Sequence, residues 1–318
     1  MIIPVWIPRI AGVLALLYLV GVLAAGIFAY GFMVKCRSES SRLILKRGIE
    51  RREVPPEVLA LPWESEKVLS PRRNSLLALW ALPGAIPGGG TIILLHGILS
   101  DHYEEIKYAA GFIEQGWNVV MVDLAGYGDS PEGTIPNPSF GYYEKYDLDA
   151  VVDWTHSRFP RSGPLIVAGE SMGAATALQY LSLGSQKIDG VIADCSYTSA
   201  ADETLNLYKL SHIPAFIAYP ALNIGNVVIK LVRGYSLFKA SPLAGSLSGP
   251  TPVLFIHGGD DHFVPTRMSV RMAEARRQAG LTATVLAIFD GAGHTESIRV
   301  DRERWFREAF SFIDTYCK

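Results

Sequence analysis

Gly169-Glu170-Ser171-Met172-Gly173 is the stretch that decides how this chain reads. It follows an apolar run, Pro164 to Ala168, and opens a small-residue helical stretch, Ala174 to Leu183. A strand that turns directly into a helix holds the turn residue in a strained backbone conformation, and its side chain then projects from the sheet edge toward solvent. Ser171 occupies that turn. The flanking glycines have a steric cause, because a Cβ at either position is expected to press the new helix off the strand it has just left.

Outward from this point, short apolar runs alternate with longer amphipathic ones. That is the signature of a mostly parallel, doubly wound sheet covered by helices on both faces. Strands are expected at Thr91 to Leu95, Trp117 to Val122, Leu165 to Ala168, Gly190 to Ala193, Pro252 to Ile256 and Ala283 to Phe289. Helices are expected at Tyr103 to Gln115, Gly141 to Ser157, Met172 to Leu183, Arg267 to Ala279 and Ser297 to Tyr316. Glu66 to Ser70 and Ser75 to Leu82 alternate as a strand pair around the turn Pro71-Arg72-Arg73-Asn74. The glycine-rich stretch Gly84 to Gly90 precedes a strand instead of following one, so it reads as a loop and not as a phosphate cradle.

A serine hydroxyl is a poor nucleophile at neutral pH and needs a base within hydrogen-bond reach, with a third group holding that base in the useful tautomer. The chain supplies a His-Gly pair at His96 and Gly97, then the serine turn, then His257-Gly258-Gly259-Asp260-Asp261-His262-Phe263-Val264-Pro265, then Gly293-His294. The order of candidates is therefore Ser, Asp, His. Here the chain resembles the α/β-hydrolase superfamily, whose triad follows this order and whose nucleophile elbow carries this consensus. The resemblance runs from about residue 64 to residue 316. The phrase His257-Gly258-x-x-Asp261-x-x-Val264-Pro265 is similar to the acid loop of a branch that includes membrane-anchored bacterial hydrolases and prolyl-oligopeptidase-type serine peptidases. Asp123-Leu124-Ala125-Gly126-Tyr127-Gly128-Asp129-Ser130 looks like the post-strand turn of the same fold, with Ala125 where an arginine is usual; the arginine's structural ion pair is lost, and no chemistry is touched.

The expected catalytic residues are Ser171 as nucleophile, His294 as base and Asp261 as acid. His294 follows a strand and the flexible Gly291-Ala292-Gly293, which places an imidazole at the carboxyl edge of the sheet; His262 and His96 are its competitors. Counting back from Val264-Pro265 and forward from His257-Gly258 both select Asp261, leaving Asp260 as a solvated turn residue. The oxyanion hole is assigned to the backbone amides of Met172 and Ile98, because amides fixed before reaction serve a developing oxyanion well. Glu170 reads as a structural hydrogen-bonding residue. No metal, nucleotide or organic cofactor is required.

The chain has 318 residues, is 49% apolar and carries a formal net charge of −2, which suits one large α/β domain plus an appendage. Nothing in that balance recruits nucleic acid. Three cysteines, Cys36, Cys195 and Cys317, lack metal-ligand spacing and form no disulfide framework. Residues 1–34 hold the appendage: Ala11 to Val34 has no charged residue and is long enough to span a bilayer at ~1.5 Å rise per residue. A signal peptide is the other reading, with Ala24-Ala25-Gly26 imitating a cleavage site. Lys35, Arg37, Arg42, Lys46, Arg47, Arg51 and Arg52 follow the span and place the catalytic domain in the cytoplasm by positive-inside counting; related hydrolases facing outward keep the extracytoplasmic alternative open.

Residues 35–63, basic and then proline-bearing, read as a juxtamembrane linker, and 64–318 as the hydrolase domain. Thr198 to Pro242 interrupts the strand rhythm where this fold inserts a lid. Two or so short helices are expected there, with Leu205, Leu207, Tyr208, Phe216 and Tyr219 either lining an acyl pocket or packing the lid on the core. The resemblance implies a membrane-anchored serine hydrolase acting on a carboxylic ester or thioester, with a small-molecule acyl substrate, lipophilic by reason of its address. A serine peptidase of the same fold and a non-catalytic membrane-tethered scaffold are the alternatives. Acyl chain length, hydrolysis versus acyl transfer and oligomeric state are not written in these motifs.

Overall fold

Eight strands form one sheet: β1 (Glu64–Ser70), β2 (Ser75–Leu82), β3 (Thr91–Leu95), β4 (Asn118–Val122), β5 (Leu165–Glu170), β6 (Gly190–Asp194), β7 (Val253–Gly258) and β8 (Thr284–Phe289). In the computed structural model, which describes residues 6–34, 39–86, 89–135, 138–159, 163–184 and 187–317, they lie in the order β1-β2-β4-β3-β5-β6-β7-β8. β1 pairs with β2, and β2 with β4, antiparallel; every later pairing is parallel. β3, β5, β6 and β7 are buried along their whole length. Strands covered on both faces need apolar side chains at every position, which is why they read as continuous runs instead of alternating ones.

The helices are α1 (Trp6–Val34), α2 (Ser41–Glu50), α3 (Pro56–Leu59), α4 (His102–Glu114), α5 (Glu144–Arg158), α6 (Met172–Tyr180), α7 (Ala200–Leu210), α8 (Ala215–Arg233), α9 (Pro242–Ser246), α10 (Arg267–Gln278), α11 (Ser297–Val300) and α12 (Arg302–Tyr316). One face of the sheet is covered by α5, α6 and α10 through residues such as Leu148, Ala177 and Met272. The other is covered by α4 and α12 through Ile106, Phe112, Trp305 and Phe312. A third apolar layer joins α1, α7 and α8 above the carboxyl ends of the strands.

Two segments depart from the sequence expectation. The stretch expected to be a plain linker folds in part: α2 packs on α4 and buries Ile44 and Gly48. A single buried isoleucine per ten-residue helix leaves little periodicity to read, and the packing partner supplies what the local sequence lacks. Cys36 and the basic Lys35 and Arg37 lie outside the described residues.

The segment expected to be a lid is the second departure. Its second helix, α8, runs for 19 residues with Pro220 inside it. α8 lies along α1, where Tyr18 donates a hydrogen bond to the Phe216 carbonyl at 3.2 Å. Tyr208 of α7 donates to the Ala25 carbonyl at 3.2 Å, and Val22 and Ala25 are buried in this contact. Both α1 and α8 are long and apolar enough to cross a membrane by length and composition. Of the five lid residues singled out, Tyr208 is buried against α1, Leu205 packs partly on the lid layer, and Phe216 and Tyr219 are exposed. Only Leu207 reaches the cavity beside Ser171.

Candidate active site

The strand order places the site. After β3 the chain steps to β4 on one side and then returns to β5 on the other, so the loops leaving β3 and β5 diverge and open a crevice at the carboxyl edge. Ser171 sits on the turn from β5 to α6 with φ 50° and ψ −111°, a left-handed conformation that costs a non-glycine residue steric strain. Gly169 is required because a Cβ there would lie 2.6 Å from the Gly173 carbonyl carbon. At Gly173 the obstacle differs from the expected one: a Cβ would strike the Leu95 carbonyl of neighbouring β3, not the strand just left. The elbow is thus wedged between α6 and β3, and the Ser171 amide ties it to β6 by donating to the Asp194 carbonyl at 2.8 Å.

Loops after β7 and β8 bring the other two groups to Ser171. His294 Nε2 is 3.0 Å from Ser171 Oγ, and His294 Nδ1 is 2.7 Å from Asp261 Oδ2. Asp261 Oδ1 accepts the amides of Phe263 at 2.9 Å and Val264 at 2.8 Å, which fixes the carboxylate before anything binds. Burial pushes this carboxyl up, but the hydrogen bonds from His257 and His294, and the attraction of either ring when protonated, outweigh it and hold Asp261 well below the usual carboxylate range. Asp260, its neighbour, is exposed. An ionised Asp261 accepts from Nδ1–H of His294, which leaves Nε2 as the unprotonated nitrogen facing Ser171 Oγ.

The competing histidines serve elsewhere. His96 is buried and accepts the Leu124 amide on Nε2 at 3.1 Å, while His262 is exposed. His257 stands behind the acid: Nε2–H donates to the Val264 carbonyl at 2.8 Å, so Nδ1 accepts from the Ser269 hydroxyl at 2.7 Å. Cys195, His257 and Asp261 lie close enough together to suggest a metal site. Their atoms are engaged otherwise, Cys195 Sγ with Asp194 at 3.0 Å and with the Thr295 amide at 3.3 Å.

The Met172 amide opens α6 and has no intrahelical acceptor. The Gly97–Ile98 turn passes over the serine so closely that a Cβ on Gly97 would be 3.6 Å from Ser171 Cβ.

Beneath the elbow is a buried polar cluster. Lys107 Nζ is 2.6 Å from Glu170 Oε2, and Tyr108 donates to Glu170 at 3.0 Å and approaches Asp194 at 3.2 Å, where Trp305 also donates at 2.9 Å. Glu170 is thus a structural residue. Removing one member of a buried pair strands the other's charge, so Lys107→Met is expected to cost about 3–5 kcal/mol in chemical denaturation. Asp147 of α5 receives the Ala125 amide at 3.3 Å and the guanidinium of Arg73 at 2.9 Å. Arg73, from the β1–β2 turn, is buried and pairs with Asp147 and Glu144 of α5.

Ser171 lines a small cavity with Ile98, Phe140, Met172, Tyr197, Glu203, Leu207, Phe263 and Val264. A broader groove outside α7, lined by Asp202, Lys209, His212, Arg267 and Arg271, includes none of the three aligned residues. Phe263 and Val264 were within the quoted acid-loop motif, but Phe140, Tyr197 and Glu203 carry no sequence signal for this site. Glu203 in particular looks like an ordinary acidic residue in the first turn of a helix.

In the fold Glu203 is buried, and burial together with the Asp261 charge pushes its carboxyl up to about 9. The sign follows from proton counting. Between the unfolded value of 4.5 and about 9, the native protein holds a proton that the unfolded chain has lost, so this group lowers stability as pH rises. Glu203→Gln is therefore expected to stabilise the fold and raise the melting temperature, with a free-energy gain that widens from pH 5 to pH 9 and exceeds about 1.4 kcal/mol at the upper end. Thermal melts across that range check it.

A model of the α/β hydrolase fold matches residues 90–213. The uncharacterised protein YqkD of Bacillus subtilis is 34% identical over 227 residues, covering 70% of this chain and 71% of that protein. An esterase from Pyrococcus furiosus superposes with a TM-score of 0.63 at 22% identity, over 83% of this chain and 94% of its own. An acylaminoacyl peptidase from Pyrococcus horikoshii superposes with a TM-score of 0.55 at 18% identity, over 83% of this chain and 43% of its own. At those identities the two structures speak to the fold alone. The relative matched over most of both chains, together with a family model that falls on the strands leading to His96 and Ser171, makes this chain a member of the α/β-hydrolase family.

Proposed function

We propose that the chain is a serine hydrolase that cleaves a carboxylic ester or thioester of a lipophilic acyl group. The hydrogen-bonded alignment of Ser171, His294 and Asp261, at 3.0 and 2.7 Å, carries this reading. Ser171 Oγ attacks the acyl carbonyl while its proton passes to His294 Nε2; the amides of Met172 and Ile98 take up the oxyanion. Collapse expels the alcohol or thiol, which leaves with the proton from His294, and the acyl group stays on Ser171. Water then attacks the acyl-enzyme with His294 again as base, releasing the acid and restoring the serine. The apolar walls of the cavity, Ile98, Phe140, Leu207 and Val264, suit an acyl chain, and its size suits a short one.

Membrane anchoring belongs to the same proposal. Residues 1–34 are the anchor, 35–63 the juxtamembrane segment and 64–318 the hydrolase domain with its lid. The apolar stretch Arg9–Phe28 supports the anchor, with mean hydropathy 2.5 and little burial inside the fold. Basic residues after it, among them Arg42, Lys46, Arg51 and Arg52, favour a cytoplasmic catalytic domain. Exposed apolar residues of α8 beside α1, such as Val227, Leu231 and Val232, are consistent with a lid that meets the bilayer.

A serine peptidase uses the same groups, and the acylaminoacyl peptidase neighbour keeps that reading in view. Turnover of p-nitrophenyl esters from acetate to palmitate, beside p-nitroanilides, decides between them. Ester cleavage with an optimum at short chains is expected. Anilide turnover exceeding ester turnover would establish the peptidase, and loss of neither substrate by folded protein would overturn the enzyme reading.

A further inference from the structure

Glu203 and Tyr197 are buried to 5% and 3% exposure and line the cavity of Ser171; among the described residues neither Glu203 carboxyl oxygen nor the Tyr197 hydroxyl has a partner at full hydrogen-bond geometry, although the Asn206 amide lies close enough to the Glu203 carboxyl to lower its proton affinity. Leaving three such atoms unpaired is costly, each at about 1–3 kcal/mol. Nothing in the folding of α7 demands it. The first turn is already capped by Ser199, whose hydroxyl accepts the Asp202 amide at 3.0 Å, and the nearby Asn206 amide donates to the Phe263 carbonyl at 2.6 Å. An apolar side chain at position 203 would satisfy the packing without the cost. The remaining walls of the cavity, apart from Ser171, are Ile98, Phe140, Met172, Leu207, Phe263 and Val264, so Glu203 and Tyr197, close enough to influence each other, are set among apolar neighbours.

We infer that Glu203 and Tyr197 form the polar end of the acyl pocket and select a short acyl group that carries a hydroxyl, so that the substrate is a hydroxyacyl ester or thioester. This rests on the hydrolase reading above and names the substrate class of that site. A carboxylic acid and a phenol each offer one donor and an acceptor, and a hydroxyl is the group that completes both roles at once. Burial keeps the Glu203 carboxyl protonated at neutral pH, which equips it to donate. A plain alkyl chain would leave both groups unpaired in the complex, and a site built around a substrate hydroxyl rejects the analogue that lacks it far more strongly than an apolar pocket rejects a methylene.

The test uses full-length protein and three p-nitrophenyl esters: butanoate, its β-hydroxy derivative and its β-amino derivative. Wild type is expected to favour the β-hydroxy ester over butanoate by at least about tenfold in kcat/KM. Glu203→Leu should bring that ratio near one, through a loss on the hydroxy ester and a gain on butanoate. Glu203→Gln, which keeps donor and acceptor, should retain most of the preference, and Tyr197→Phe should reduce it. Preference for butanoate in wild type would overturn the inference, as would equal losses on both esters in Glu203→Leu. Preference for the β-amino ester would also overturn it, in favour of a cation site. If butanoate is turned over by wild type but the ratio is one, the hydrolase reading stands and the hydroxyl pocket falls. If no ester is turned over by folded protein, both fall.

Discussion

Ser171→Ala is expected to lower ester turnover by about 10⁴- to 10⁶-fold while leaving the melting curve nearly unchanged. The magnitude follows from the role: without Oγ no acyl-enzyme forms, and only binding and the oxyanion donors are left to speed attack by water. The fold should tolerate the change because Ser171 contributes its backbone, not its hydroxyl, to the elbow. Its amide bond to Asp194 and the glycine contacts at positions 169 and 173 persist in the variant. Alanine keeps the same strained φ of 50°, so no relief of strain complicates the comparison. Steady-state kinetics beside thermal melts check both halves.

Asp261→Asn is the second large effect, expected at about 10⁴-fold in kcat. The asparagine is isosteric and its carbonyl can still accept the Phe263 and Val264 amides, so the loop should hold. Its NH₂ group, however, faces His294 Nδ1 and turns that nitrogen into an acceptor. The proton then sits on Nε2, where a base for Ser171 is needed. Asp260→Asn, at an exposed turn position, should change kcat by less than about threefold. Comparable losses at both aspartates would remove Asp261 from the acid role. The pair also differs in stability against pH. Asp261 is held below its usual range, so its contribution is complete at neutral pH and is lost as pH falls through the carboxylate region toward the folded value. The Asn variant lacks that acid-side loss.

Much of this architecture was legible because the local chemistry is strongly constrained. Gly169 and Gly173 have backbone neighbours that leave no room for a Cβ, so the elbow is written in sequence. The parallel strands β3, β5, β6 and β7 carry unbroken apolar runs because both faces are covered. The spacing to Val264 and Pro265 on one side and to His257 and Gly258 on the other points to Asp261, and Asp261 is the aspartate of this loop that meets His294. What could not be read depends on packing between distant segments. α2 became a helix through α4, α8 grew longer than expected beside α1, and Arg73 of the β1–β2 turn found its carboxylates on α5, more than seventy positions later in the chain. Tyr197 and Glu203 were illegible for the same reason. Their burial at the wall of the cavity beside Ser171 comes from packing between distant segments, and no spacing rule records it.

The measurement that tests the central claim most directly is fluorophosphonate labelling of the detergent-solubilised protein, with the adduct mapped by peptide mass spectrometry. A phosphonyl group on Ser171, absent from Ser171→Ala and reduced in Asp261→Asn, is the predicted result. Folded wild-type protein that takes up no label, or that carries it on another residue while Ser171 stays free, would contradict the account.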